Sequence, residues 1–485
     1  MTEDIFKSAV FYHSKKNFSK AKEIYESLLK TNPDNLAILQ NYATLLSQLR
    51  EYKKAENVFK KCLKIKSNDP LLLYNFGKCF HEQKIFHKAI EFYRRSFNID
   101  PKNDTPLYNI GNIYLFQNKY EQAIEYFKKA IDINSSNYLA YNNIAIANKR
   151  LGNFDDAIKF YRHAIKKNNN YTDAHLNYGT MLLTLGQLEE GLEQYEWRKK
   201  SKSFLDYVEY HTLNLKSKVW DGQDLNNKKL FIIAEQGIGD LIQFSRYLYL
   251  IKKSYKVKIT LKIKGESFLH FFDKNEFKVI SENKDIPLHD YHIHMMSLLR
   301  IFYKKNNFFY KPVNFITRKK NIEEKWKNKL KDIKGIKIGI NSTTSLKNKN
   351  IPLMYFIKLA KDLDCKFIML QKKISTEDLK KISQNKNIIS FSDFDEGNQA
   401  FIDSIAVINS LDLVITADTA LAHLSATLGK KTWIALPFIA DWRWFKDKKN
   451  TKWYNNVVLY RQEKNEDWDS VFGNIKKDIV ELLNF

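Results

Sequence analysis

Cysteine is scarce in this sequence, and its placement excludes two ways of stabilising a small domain. Cys62, Cys79 and Cys365 are isolated and odd in number, with neither a Cys-x-x-Cys pair nor the spacing of a zinc site. A disulfide scaffold and a zinc-ribbon domain are therefore excluded. We expect buried thiols in a reducing compartment.

Long apolar runs are also missing. None reaches the roughly 18 residues that a membrane span needs, and the first residues lack the basic-then-apolar pattern of a signal peptide. The sequence therefore predicts a soluble, cytoplasmic protein without a transmembrane segment. Its 44% of hydrophobic residues can form sizeable cores, and its 485 residues suggest two to four domains.

The sequence also lacks a segment in which basic residues are concentrated. The net charge is +25, of which +9 falls in residues 1–200 and +16 in the remaining 285 residues. The excess is thus nearly even along the chain, without a basic arm or an arginine-rich helix. No nucleic-acid partner is expected.

A 34-residue period runs through the N-terminal part of the chain. Small residues recur at two positions of the period, where they allow two helices to approach closely, and aromatic residues fill the adjacent gaps. The small residues are Ala9, Ala43, Gly77, Gly111, Ala145 and Gly179, then Ala21, Ala55, Ala89, Ala123, Ala157 and Gly191. The aromatic series with the same phase is Tyr25, Phe59, Tyr93, Phe127, Tyr161 and Tyr195.

These series resemble the tetratricopeptide repeat family, with six repeats over residues 2–205. The resemblance implies an α-solenoid, in which each pair of helices buries its apolar face only against its neighbours. Such an array is expected to bind a protein partner.

Asparagines recur with the same period, two residues before the first small position. Two interpretations fit them. Their amides offer both a donor and an acceptor and can hold an extended peptide, as in the arrays of protein O-GlcNAc transferases, which this array resembles. Alternatively, they hold neighbouring helices together, since buried amides need partners. The series is Asn41, Asn75, Asn109, Asn143 and Asn177.

Beyond the array, residues 206–225 are predicted to form a packed connector. Trp197 and Trp220 either join the array to the next domain or pack within one domain. Apolar strands then alternate with amphipathic helices, which predicts two Rossmann-like halves with parallel sheets, at 226–312 and 331–485. The predicted strands are 230–234, 257–263, 277–280, 336–340, 366–370, 388–391, 413–416, 431–436 and 457–460, with an apolar patch near 291–299.

Two motifs at predicted strand ends combine a strand-to-helix turn with a carboxylate. In the first, Gly237 and Gly239 permit a tight turn, and Asp240 is either a general base kept ionised by a helix N-terminus or a helix cap. In the second, Asp418 and its neighbours Thr419 and Ala420 precede free helical N–H groups that suit a diphosphate, with His423 one turn further on. The alternative for this second motif is capping plus a structural histidine.

Two further motifs follow strands of the second half. Asn341 and Ser342 lead into a run that contains Lys347 and Lys349, which either contacts phosphate oxygens or is a solvated loop. Arg443 lies in an Asp-Trp-Arg-Trp segment, which either stacks on a base or sugar ring or packs in a core.

The order of these four motifs along the chain resembles the heptosyltransferase-like glycosyltransferases of family 9, and more closely bacterial proteins that join tetratricopeptide repeats to such a module. The resemblance covers residues 190–485 and implies a GT-B-like pair of Rossmann-type domains. It also implies metal-independent, inverting transfer of a sugar from a nucleotide-diphosphate donor to a protein or surface-glycan acceptor recruited by the array.

Site residues follow from this resemblance. Asp240 is the implied general base, and Lys349 is the implied ligand of the donor diphosphate, at a position where close relatives are expected to carry arginine. The remaining implied donor contacts are Gly237, Gly239, Asn341, Ser342, Asp418, Thr419, Ala420, His423 and Arg443.

Two other functions compete with the transferase: a non-catalytic scaffold whose transferase module is degenerate, and nucleic-acid binding through charge alone. Separately, His289, His292 and His294 suggest a metal site, and the last two share one face of a strand. Since no carboxylate or cysteine set completes such a site, neither a metal nor another cofactor is expected.

Overall fold

The computed structural model describes residues 2–211, 215, 217–343, 350–446 and 448–483. Its internal contacts divide the chain into two compact units, Met1–Asn177 and Tyr178–Phe485. The division falls inside the sixth repeat, earlier than the predicted end of the array at residue 205. The reason is that the second helix of this repeat packs within the second unit, where Glu193 pairs with Arg300 at 3.4 Å.

Successive helices of the repeat region pack as pairs with the predicted 34-residue period. Short polar side chains begin several of these helices: Asn35 caps Ile38 N–H and Asp69 caps Leu72 N–H. The helices of this region are α1 Thr2–Ser14, α2 Phe18–Thr31, α3 Leu36–Gln48, α4 Tyr52–Ile65, α5 Pro70–Glu82, α6 Phe86–Ile99, α7 Thr105–Phe116, α8 Tyr120–Ile133, α9 Tyr138–Leu151, α10 Phe154–Lys167, α11 Thr172–Thr184 and α12 Leu188–Tyr195.

Close packing explains the small residues of the period. A β-carbon added to Gly111 would lie 2.6 Å from the ring of Phe127, and one added to Gly77 would lie 2.9 Å from the ring of Tyr93. The aromatic side chain of each repeat therefore occupies the space that the glycine leaves open.

A left-handed residue occupies the turn between the two helices of each repeat. Glycine was predicted there at 152 and 186, and both have φ near +80°. The equivalent residues of the other repeats have φ near +60° although they carry side chains: Lys16, Arg50, Lys84 and Asn118. The backbone of this turn is thus set by its place in the repeat, even where the residue is unfavourable for it.

The second unit contains a parallel sheet in its first half, with strand order β1-β5-β2-β3-β4 among the described residues. Its strands are β1 Lys218–Val219, β2 Lys229–Ile233, β3 Lys258–Ile263, β4 Lys278–Ser281 and β5 Tyr291–His294. Its helices are α13 Lys202–His211, α14 Ile238–Phe244, α15 Arg246–Ser254 and α16 Leu298–Lys304. The prediction missed β1, which lies in the expected connector, and placed β5 only as an apolar patch.

A second parallel sheet follows, with strand order β11-β10-β9-β6-β7-β8. Its strands are β6 Lys337–Asn341, β7 Lys366–Met369, β8 Ile388–Ile389, β9 Leu413–Ala417, β10 Thr432–Leu436 and β11 Val457–Arg461. The helices of this half are α17 Lys320–Leu330, α18 Leu353–Asp362, α19 Thr376–Ser383, α20 Ile402–Asn409, α21 Ala420–Thr427 and α22 Trp468–Leu483. Two parallel-sheet regions are confirmed, with strand ends shifted by one or two residues.

The two sheets share a detail of their strand pairing. In the first sheet, Asp290 accepts the N–H of Lys229 at 2.7 Å and donates its own N–H to the same lysine's carbonyl. In the second sheet, Asp412 makes the same two bonds with Lys337. We call each of these pairs, 290 with 229 and 412 with 337, an aspartate clasp. The first clasp joins the start of β2 to the residue before β5, and the second joins the start of β6 to the residue before β9.

Trp220 is buried within the second unit, where its indole N–H donates to the carbonyl of Gln223 and its ring packs near Phe302. This is interior packing, one of the two roles predicted for it. No helix in the described part of the chain combines the length and the apolar character needed to cross a bilayer.

Candidate functional site

A cleft of about 590 Å³ lies within the second unit, at the carboxyl ends of strands from both sheets. It collects residues that are far apart in the sequence but that follow parallel strands, as expected for α/β sheets. Its lining includes Gly237, Ile238, Gly239, Asp240, Asn341, Thr343, Gln371, Lys372, Lys373, Phe401, Asp418, Thr419, Ala420, His423, Asp441 and Arg443.

Gly239 allows the starts of α14 and α21 to approach each other. A β-carbon at this position would lie 3.1 Å from Cδ2 of His423 and 3.6 Å from Cα of Ala420. The sequence predicted a glycine turn that approaches a ligand. The structure shows that this glycine also brings the two sheets' carboxyl-end helices together at the cleft.

Asp240 lies in the first turn of α14 and does not cap it, because Gly237 is the N-cap residue and no side chain bonds to the free N–H groups. Its Oδ1 accepts a hydrogen bond from Nη2 of Arg443, whose Nη1 also bonds to Asp441 at 2.6 Å. Burial raises the pKa of Asp240, and Arg443 only partly offsets this effect. The result is an oriented carboxylate with an increased affinity for a proton.

Arg443 joins the Asp-Trp-Arg-Trp segment to the first sheet. It is 9% exposed, and its guanidinium lies 4.7 Å from the ring of Trp442 and 5.6 Å from that of Phe244. Its Nε has no hydrogen-bond partner among the described residues. The segment was predicted to stack on a ligand or to pack in a core, and it does pack on protein rings while also facing the cleft.

Trp444 connects two residues of the Asp-Thr motif. Its indole N–H donates to Oδ1 of Asp418 at 2.8 Å, and its ring stacks on His423 with centroids 5.2 Å apart. The other side of the histidine has a partner too, since Nδ1 lies 3.2 Å from the hydroxyl of Tyr454. Thr419 is the N-cap of α21, without a side-chain cap bond. Trp444 was not predicted as a site residue.

The strand end at Asn341 is partly used by the protein itself. Asn341 lines the cleft and donates to the carbonyl of Thr343 at 3.1 Å. Ser342 is buried, and both its N–H and its hydroxyl donate to Oε1 of Gln371 at 2.8 Å. Ser342 is not in the cleft lining. Lys349, the implied diphosphate ligand, lies outside the described residues, as does Lys347.

Lys372 and Lys373 line the cleft and were missed by the sequence analysis. They follow β7, so two consecutive lysines after a predicted strand end were the signal available. Both are exposed, and a flexible ammonium group at a strand end can reach an anionic ligand in the cleft.

A buried ionic cluster includes Glu235, which precedes Gly237 by two residues. Arg198, only 3% exposed, bonds to Glu196 at 2.5 Å, to Glu235 at 3.3 Å and to the hydroxyl of Ser297 at 2.8 Å. Glu235 follows β2 and Ser297 follows β5, so this arginine ties two strand ends together. Burial raises the pKa of Glu235, whereas Arg198 and Lys199 overcome burial and lower the pKa of Glu196 to about 2.

The asparagine series of the first unit makes contacts between repeats. Asn109 donates to the hydroxyl of Tyr74, and Asn143 donates to that of Tyr108, each 35 residues earlier. Asn177 continues the pattern by donating to Asn142. The remaining two members differ: Asn41 donates to the carbonyl of Ala37 within its own helix, and Asn75 is half-buried. Part of the series thus holds neighbouring repeats together, which is one of its two predicted roles.

The three histidines near β5 have separate partners. His289 bonds to the carbonyl of Pro287, and His292 bonds to the hydroxyl of Ser217. Burial, aided by nearby cations, lowers the pKa of His294 to about 3, and its ring packs 4.8 Å from that of Phe204. Over the residues that the structure describes, no group of three or more His, Cys, Asp or Glu could hold a metal ion.

Comparisons with known proteins concern the repeat region. Tetratricopeptide repeat models match residues 12–79, 71–103, 106–137 and 138–171. This part of the chain consists of tetratricopeptide repeats, which points to protein–protein interaction. No curated protein matches the chain.

Solved structures of repeat proteins are similar to part of the chain. pilF of Pseudomonas aeruginosa is 18% identical, over 43% of this chain and 96% of its own, with a TM-score of 0.37. A tetratricopeptide repeat protein from Parabacteroides merdae is 18% identical, over 43% and 84%, with a TM-score of 0.36. YrrB, described as a repeat protein with an unusual peptide-binding site, is 18% identical over 36% and 91%, with a TM-score of 0.30.

Proposed function

We propose that the second unit is a glycosyltransferase that moves a sugar from a nucleotide-diphosphate donor to an acceptor recruited by the repeat array. The observation that carries this proposal is the cleft in which Asp240, on the first sheet's side, faces Asp418, Thr419 and Ala420 on the second sheet's side. The order of the four motifs along the chain resembles that of the family 9 enzymes and supports the same function.

Asp240 is the general base in this proposal. Arg443 occupies Oδ1, so Oδ2 is the oxygen that takes the proton from the acceptor hydroxyl. As the proton leaves, the acceptor oxygen bonds to the anomeric carbon on the face opposite the diphosphate. The bond between that carbon and the phosphate oxygen breaks, and a nucleoside diphosphate departs with the electron pair. A carboxylate whose pKa is raised by burial suits this role, because it is a stronger base than an ordinary carboxylate.

Cationic groups of the cleft would balance the charge of the leaving diphosphate. Lys372 and Lys373 lie on its wall, and the N–H groups of Thr419 and Ala420 begin α21. Lys349 is proposed as a further phosphate contact on the grounds of the resemblance. In this scheme positive charge and backbone N–H groups replace a metal ion.

A non-catalytic scaffold is the second candidate, and the Asp240–Arg443 ion pair favours it. The guanidinium stabilises the ionised carboxylate, so Asp240 is a weaker base than the same buried carboxylate would be without Arg443. In the scaffold, the weakened carboxylate does not take the proton, and the cleft holds a ligand without turning it over. The repeat array then carries the function through its protein partner.

Nucleotide binding is the first test. Thermal unfolding of the whole protein would be followed with ADP, UDP, GDP and CDP, and a ligand at about 100 times its dissociation constant stabilises by about 2.7 kcal/mol. We expect one nucleotide to raise the melting temperature, and we expect Lys372→Ala with Lys373→Ala to reduce that rise. Lys380→Ala with Lys386→Ala, two exposed lysines outside the cleft, is the matched control. Absence of any shift would contradict a donor site.

Asp240→Asn distinguishes the two candidates. For a transferase, this change should lower sugar transfer by about 100- to 10,000-fold while the nucleotide still raises the melting temperature. Unchanged transfer would show that Asp240 is not the base. Nucleotide binding without transfer by the wild-type protein, over a panel of nucleotide sugars and acceptors, would favour the scaffold.

A further inference from the structure

Lysines begin three neighbouring strands of the first sheet. Lys229, Lys258 and Lys278 are the first residues of β2, β3 and β4, and all three are exposed. Lys229 and Lys258 are direct partners in the strand register. Since neighbouring strands lie about 4.8 Å apart, the amino edge of this sheet carries a row of like charges.

These lysines border a groove of about 520 Å³ at the amino edge of the sheet. Lys252 and Lys274 add two more cations to its lining, and Glu276 is paired with the first of them at 2.5 Å. Within the described part of the chain, Lys258, Lys274 and Lys278 form no ion pair. Like charges placed side by side on a sheet are unfavourable unless an anion covers them.

An apolar side chain projects from the rim of the same groove. Leu288 lines it and is 89% exposed, the highest value for a large hydrophobic residue in the described chain. It follows Pro287 in the connection between β4 and β5. The groove thus combines several cations with one leucine that is almost fully in solvent.

We propose that this amino-edge groove is a docking surface for an anionic lipid bilayer. Lysines are attracted to acidic headgroups, and an exposed leucine inserts below them. Charge alone would suit other polyanions, but the leucine favours a partner with an apolar interior. The candidate active site lies at the carboxyl ends of the same strands, so the bilayer would contact the edge opposite the cleft. This inference does not depend on the proposed function.

Sedimentation of the whole protein with vesicles tests the charge. Vesicles of phosphatidylglycerol and phosphatidylcholine should bind it, and vesicles of phosphatidylcholine alone should not. Replacing Lys258, Lys274 and Lys278 with Glu should weaken partitioning by about 100-fold, at about fivefold for each lysine. Lys358→Glu with Lys380→Glu and Lys386→Glu changes the net charge equally on exposed lysines outside the groove and should keep nearly wild-type binding. Equal losses in both variants would overturn the proposal.

A probe at Leu288 tests insertion without altering any lysine. The three native cysteines are buried, so Leu288→Cys offers an accessible thiol for an environment-sensitive dye. Anionic vesicles should shift its emission to shorter wavelength, and Leu288→Ser should weaken partitioning by about tenfold. An unshifted dye on vesicle-bound protein would overturn the docking geometry. Binding to a nucleic-acid duplex with unchanged affinity in Leu288→Ser, together with no vesicle binding, would assign the groove to a different polyanion.

Discussion

The two units bury different kinds of side chain. Among the described residues, the buried polar groups of the first unit are neutral hydroxyls and amides plus His175. Every Asp, Glu, Lys or Arg that is buried in the described part of the chain belongs to the second unit: Arg198, Glu235, Arg246, Lys262, Asp395, Asp403 and Arg443. Burying an unpaired charge costs free energy of folding. The stability of the second unit therefore depends on specific charge partners, whereas that of the first depends on close packing.

Because of this difference, we expect the two units to tolerate different kinds of substitution. Contacts in the array repeat every 34 residues and join helices of the same repeat or of adjacent repeats, so the loss of one is local. A charge cluster in the second unit links segments that are remote in sequence, such as Arg198 with Ser297. The following variants test the comparison, from the largest expected effect to the smallest.

Removing the cation of the buried cluster should have the largest effect on stability. Arg198→Met leaves Glu196 and Glu235 without their shared partner, and we expect the free energy of unfolding to fall by about 3–5 kcal/mol. Arg50→Met, at an exposed arginine of the array, is the control and should change it by less than about 0.5 kcal/mol. Urea unfolding of both variants measures the difference. Similar values for the two would remove the contrast between the units.

Acid should weaken the second unit through Glu196. Its folded pKa of about 2 lies below its ordinary value of 4.5, so ionisation stabilises the fold above pH 4.5. That contribution is lost as the pH falls from 4.5 towards 2 and amounts to at most about 3 kcal/mol. The stability difference between the wild type and Glu196→Gln should therefore shrink across this window. A difference that stays constant with pH would show that the carboxylate is not held ionised.

In the array, shape should matter more than charge. Gly111→Ala places a β-carbon against the ring of Phe127 and should cost about 1–3 kcal/mol. Adding Phe127→Leu to this variant should recover part of the loss, because the smaller side chain makes room. Ala145→Gly, at the equivalent position of the next repeat, should cost no more than about 1 kcal/mol. Failure of the double variant to recover stability would argue against a steric origin.

The smallest expected effect is an increase in the free energy of unfolding. Arg50 has φ of +61° in the inter-helix turn, where glycine incurs no steric penalty. Arg50→Gly should raise the free energy of unfolding by about 0.5–1 kcal/mol. Arg50→Ala removes the same side chain but keeps the unfavourable backbone, so it should bring no gain. Equal behaviour of the two variants would mean that the turn is not strained.

Local pattern explains why the repeat region was predictable. Each helix there is defined by residues at fixed spacing, such as Gly111 and Phe127, and its partner is its neighbour in sequence. The strands of the second unit were also found, because buried runs such as 413–417 stand out between amphipathic helices. Strand β1 was missed because its two residues, Lys218 and Val219, are both exposed and carry no apolar pattern.

Partners that are remote in sequence were beyond prediction. The motifs around Asp240 and Arg443 were each recognised, but no spacing rule shows that two residues 203 positions apart form an ion pair. Trp444 was overlooked for the same reason, since its role comes from contacts with Asp418 and His423 in the fold. Lys372 and Lys373 were missed because lysines are frequent throughout the sequence, and only the fold places these two at the cleft.

The aspartate clasps have a consequence for how the sheets assemble. A strand that slips by one residue turns all its side chains to the opposite face. In both sheets a slip between the clasped strands would also remove the aspartate from the N–H and carbonyl of Lys229 or Lys337. Each clasp therefore discriminates against misaligned pairing while the chain folds. Parallel strands are joined by long connections, so no hairpin turn sets their register, and the clasp supplies a local constraint of that kind.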